Sequence, residues 1–113
     1  MDKKDLYNFI EDKKDVFIDL SDCIWEYAEL SLSEFKSTEH YIKVLNEQGF
    51  VVEKEIAGIK TAFTGTYGSG KPVIGILGEF DALSGLSQEP ESLIKEEIVK
   101  GGCGHGCGHN LLG

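Results

Sequence analysis

Near its end the chain reads Gly101-Gly102-Cys103-Gly104-His105-Gly106-Cys107-Gly108-His109, a metal-capable side chain alternating with glycine four times. In an extended segment residues two apart point to the same side. Cys103, His105, Cys107 and His109 can therefore face one centre, while glycine lets the backbone turn tightly round it. Thiolate with imidazole suits zinc, cobalt, manganese or nickel rather than calcium or magnesium. The spacing is not that of a zinc finger, whose ligand pairs are separated by a longer gap. Four ligands from one short loop would also be strained, so a centre that draws two ligands here and the rest elsewhere fits better. A flexible glycine-rich loop with incidental ligands is the plain alternative.

A second chemical group lies upstream in Gly78-Glu79-Phe80-Asp81-Ala82-Leu83. Alternation places Glu79 and Asp81 on one face, and carboxylates at the end of a sheet strand line a ligand crevice. A solvated acid pair explains them equally well until Cys107 and His109 are considered. Asp81 then gains weight, because a metal-bound histidine is usually backed by a carboxylate. Other motifs are weaker. Gly65-Thr66-Tyr67-Gly68-Ser69-Gly70-Lys71 imitates a phosphate loop, but Pro72 stands where Ser or Thr is needed and a strand follows; it reads as a hairpin turn. His40 reads as an exposed helical residue and Cys23 as a small buried hydrophobe. Cys107 with His109 is too local for a nucleophile–base pair.

The elements that must carry these residues follow from periodicity. Leu6, Phe9, Ile10, Val16, Phe17, Leu20, Ile24 and Tyr27 recur every three or four residues and predict an amphipathic helix from Asp5 to about Ala28. A second helix, capped by Ser37 or Thr38 and buried through Tyr41, Ile42 and Leu45, ends at Gly49. The period then changes to two. Phe50 to Ile56 and Thr61 to Tyr67 predict strands. The apolar run Val73 to Gly78 predicts a strand covered on both faces. Residues 84–100 predict a long loop with a helical turn over Glu91–Val99. The fold class is α/β: two helices, a hairpin and a buried strand of a partly present mixed sheet.

The chain has 113 residues, 20 acidic and 11 basic side chains, and a formal charge of -9. One small domain fits that length. The negative charge repels nucleic acid and anionic membranes. No apolar run is long enough to span a bilayer and no apolar leader is present, which predicts a cytoplasmic protein. Three cysteines are no disulfide framework. The chain stops at Gly113 within the first turn of an apolar helix, and we expect it to be the N-terminal piece of a longer protein.

Three segments resemble one known family. Ala28-Glu29-Leu30-Ser31 with Glu34 is similar to its "PELS..E", with Ala28 replacing proline. Gly75-Ile76-Leu77-Gly78-Glu79-Phe80-Asp81-Ala82-Leu83-Ser84-Gly85-Leu86 resembles "GILGEYDALPGL", and His105-Gly106-Cys107-Gly108-His109-Asn110 resembles "H-x-C-G-H-[DN]". They mark the metallopeptidase family of aminoacylases, hippurate hydrolases, indole-acetyl-amino-acid hydrolases and carboxypeptidase G, nearest its p-aminobenzoyl-glutamate hydrolase branch. The resemblance implies an incomplete zinc-peptidase-like catalytic domain without its dimerisation domain. It implies one or two divalent ions, zinc or manganese before cobalt or nickel. Cys107 and His109 match metal ligands, and Asp81 matches the acid that supports the centre, the candidate catalytic residue. Glu79 stands where other branches place a histidine ligand and is not counted; Cys103 and His105 are not expected ligands. The implied reaction is hydrolysis of an N-acyl or aryl-acyl amino acid by a homo- or hetero-oligomeric parent, with the remaining ligands and the general-base glutamate beyond Gly113. The fragment alone is expected to be inactive. The rival reading is a small non-enzymatic metal-binding module built on loop 101–109.

Overall fold

The computed structural model describes residues 2–113, arranged as α1 (Lys3–Tyr27), α2 (Phe35–Glu47), β1 (Val51–Lys54), β2 (Phe63–Thr66) and a short α3 (His109–Leu112). The two helices followed by an antiparallel hairpin agree with the α/β class read from the sequence. In the hairpin Val51 faces Thr66 and Lys54 faces Phe63.

α1 starts with a reciprocal cap. The Asp2 carboxylate accepts from the Asp5 amide and the Asp5 carboxylate from the Asp2 amide, each at 2.9 Å, which satisfies donors a helix leaves orphaned. Its apolar stripe is only partly used: Ile24 is fully buried, whereas Leu6, Phe9 and Phe17 stay about half exposed. α2 is capped differently from expectation. It begins at Phe35, and neither Ser37 nor Thr38 caps it. Glu29 does so from outside the helix, accepting from the Lys36 amide at 3.0 Å and from the Ser37 amide and hydroxyl at 2.9 Å. A carboxylate suits the positive end of the helix better than a hydroxyl, and Thr38 instead donates to the Thr61 carbonyl at 3.1 Å.

The core is small. Ile24, Tyr41, Ile42 and Ala82 are its buried apolar members among the described residues. Tyr41 of α2 stacks at 4.7 Å on Phe80 and at 6.2 Å on Phe63 of β2, with Phe63 and Phe80 5.9 Å apart. These tilted pairs tie helix and hairpin to the segment that carries Glu79 and Asp81.

Two local expectations change. Residues 73–78 pair with no strand, and Ile76 and Leu77 are 96% and 95% exposed. The turn at Gly65–Lys71 therefore closes no hairpin; a cavity of about 1130 Å³ separates 72–78 from β2 and α2. The run has the composition of a doubly covered strand, yet it does not join the free edge of β2, and no second layer covers it. Residues 91–99 form no helix. Gln88 supplies the backbone partners instead, donating to the Ile94 carbonyl at 2.8 Å and accepting from the Glu96 amide at 3.1 Å.

Candidate metal centre

The site is assembled where three irregular segments meet. The Ala82 amide donates to the Glu29 carbonyl at 2.7 Å, joining the segment to the α1–α2 link. On its other side Leu83 and Gly104 exchange backbone hydrogen bonds of 2.9 and 3.0 Å, and the Ser87 amide donates to Gly102 at 3.1 Å. The loop 101–109 is thereby laid directly against residues 82–87. Glycine is required there: a Cβ on Gly104 would stand 2.0 Å from the Leu86 carbonyl oxygen. At its far end Asn110 donates to the Ser21 hydroxyl at 3.0 Å, fixing α3 to α1.

This framework brings two of the sequence candidates together. His109 Nδ1–H donates to Asp81 Oδ1 at 2.8 Å. Its other nitrogen, Nε2, lies 3.3 Å from Glu79 Oε1. Asp81 and His109 are half-buried and Glu79 is largely exposed, so the group opens to solvent on the Glu79 side. The hydrogen bond to Asp81, ahead of the charges of Glu79 and Asp81, raises the imidazole above its ordinary range. One atom from each of Glu79, Asp81 and His109 lies within 4.8 Å of the other two. An imidazole between carboxylates would suit zinc, manganese or cobalt, and Asp81 on Nδ1 would leave Nε2 as the nitrogen able to face an ion.

Glu79, set aside on sequence grounds, is thus the carboxylate nearest the free nitrogen. The signal for it was the alternation that places it beside Asp81. Cys107 is exposed and is not in that group, although it lies two residues from His109. His105 turns away: buried at 4% exposure, it donates from Nε2 to the Ile24 carbonyl at 3.0 Å. Burial pushes the pKa of this ring down, and its Nδ1 has no partner in the structure. Among the described residues no cluster unites Cys103, His105, Cys107 and His109. The geometry that the four-ligand module requires is therefore not formed.

No family model matches the chain. The chain is 42% identical over 114 aligned positions to one of the subunits of p-aminobenzoyl-glutamate hydrolase from Escherichia coli (strain K12). The alignment covers 97% of this chain and 24% of that relative. The similarity carried by the three segments thus runs along nearly the whole sequence, and the chain corresponds to a minor part of the relative's length. No helix among the described residues is long and apolar enough to cross a membrane.

Proposed function

We propose that this chain is the N-terminal, metal-holding part of the catalytic domain of an amidohydrolase that cleaves N-acyl or aryl-acyl amino acids such as p-aminobenzoyl-glutamate. The observation that carries the reading is His109 held by Asp81 at 2.8 Å with Nε2 turned toward Glu79, within the motif where the chain resembles that hydrolase. His109 Nε2 would hold a divalent ion, with Glu79 as the adjacent carboxylate and with Cys107 joining only if the loop rearranges to bring it in. A zinc or manganese ion there supplies Lewis acidity and a bound water of lowered pKa. Asp81 keeps the Nδ1 proton in place, so the Nε2 lone pair stays available. On the family resemblance, the general base and the remaining ligands would come from residues other than those of this chain. The relative's description as a hydrolase subunit supports an oligomeric parent enzyme, homo- or hetero-oligomeric, which we place in the cytoplasm.

The test is hydrolysis of p-aminobenzoyl-glutamate by the full-length protein supplied with zinc or manganese, monitored as release of p-aminobenzoate. Activity that disappears in His109→Ala is expected. Absence of hydrolysis with this and with other N-acyl amino acids would overturn the proposal.

A further inference from the structure

We infer that Asp19, Cys23 and His40 form a second divalent-metal site, of the zinc class, in the contact between α1 and α2. One ligand atom from each lies within 4.8 Å of the other two. Asp19 and Cys23 are one helical turn apart on α1, and His40 reaches them from α2, its Nε2 3.9 Å from Asp19 Oδ2. Bonds of about 2.0–2.3 Å at tetrahedral angles hold zinc ligands about 3.5 Å apart. Closing this triangle needs a movement of the order of 1 Å, which the exposed Asp19 side chain can make.

The donors distinguish the group from a common acidic patch. Sulfur, imidazole and carboxylate together select zinc, cobalt or nickel over magnesium or calcium. The histidine is already oriented: Tyr27 Oη is 3.3 Å from His40 Nδ1, leaving Nε2 on the side of Asp19. A hydrogen-bonded rear nitrogen is the usual support of a metal-bound imidazole. Without metal, burial and then the charges of Asp19 and Glu26 keep the Cys23 thiol protonated, so it is no activated nucleophile. On binding, the sulfur–metal bond replaces the S–H bond and the proton leaves to solvent; water completes the tetrahedron. Nothing in this site is shared with the His109 centre.

The experiment uses the full chain with Cys103→Ser and Cys107→Ser, which leaves Cys23 as its single thiol, titrated with cobalt(II) and followed by absorption. A near-ultraviolet thiolate-to-cobalt band is expected, lost in Cys23→Ser and retained in His109→Ala. His40→Gln and Asp19→Asn, near-isosteric changes that spare the helices, should each weaken cobalt binding by at least about tenfold. Circular dichroism on every variant confirms that α1 and α2 persist. No thiolate band in the helical protein, or a band of unchanged affinity in both His40→Gln and Asp19→Asn, would overturn the assignment.

Discussion

His109 donates its Nδ1 proton to Asp81 at 2.8 Å across 28 residues of sequence, and this single bond decides which ring nitrogen faces Glu79. Replacing Asp81 by Asn allows the side-chain amide to present either a donor or an acceptor, so the ring tautomer is no longer fixed. Asp81→Asn is therefore expected to lower metal affinity about 10- to 100-fold, measured by calorimetric zinc titration. An affinity equal to wild type would mean that Asp81 does not orient the ligand.

The pKa values of the two loop histidines should be shifted in opposite directions in metal-free protein. His109 is raised above 6.5, first by the Asp81 hydrogen bond, whereas His105 is lowered from 6.5, first by burial. The His109 contribution to stability is complete below 6.5 and fades as pH rises through its higher folded value. The His105 contribution is complete above 6.5 and is lost as pH falls toward its lower folded value. Proton NMR of the ring C–H signals reads both; His105 titrating above His109 contradicts the geometry.

Gly104→Ala should dislodge the loop 101–109. Its Cβ would meet backbone, the Leu86 carbonyl, at 2.0 Å, and backbone cannot swing aside as a side chain does. A loss of about 3 kcal/mol is expected, read by urea denaturation, with His109 no longer protected by Asp81.

Glu29→Ala removes three hydrogen bonds from the first turn of α2. A destabilisation of about 1–2 kcal/mol follows from loss of a cap, visible as a lower urea midpoint. An unchanged midpoint would show that water replaces the carboxylate at no cost.

The apolar segment 73–78 should drive self-association of the isolated chain, since Val73, Ile74, Ile76 and Leu77 are 82–96% exposed. Ile76→Lys is expected to shift size-exclusion elution toward monomer. A sharp monomer peak for the unaltered chain at high concentration contradicts this.

Much of the framework was legible before the structure. The helical periods of α1 and α2, the stop at Gly49 and the change to period two each report a local preference of the backbone, and each appears where the pattern places it. The pairing of Asp81 with His109 was also accessible, because imidazole ligands attract carboxylates. What stayed hidden depends on distant partners. The Glu29 cap joins residues seven and eight positions apart through a turn, which no capping pattern within α2 reveals. His40 reads as a surface residue until α1 brings Asp19 and Tyr27 beside it. Residues 73–78 show the reverse: their composition answers to a sheet, and pairing needs strands that composition cannot supply.

The bond from His105 to the Ile24 carbonyl spans 81 residues, and it bears on the order in which the molecule takes shape. Closing so long a loop costs entropy that only later contacts return. The helices and hairpin can form early from neighbouring sequence, whereas the loop bearing His109 must wait for α1 to be in place. If His109 holds an ion as proposed, its capture would then be a late event, available only to chains whose N-terminal scaffold has already folded. A stopped-flow experiment started from denatured chain with zinc present would register helix signal first and metal uptake second.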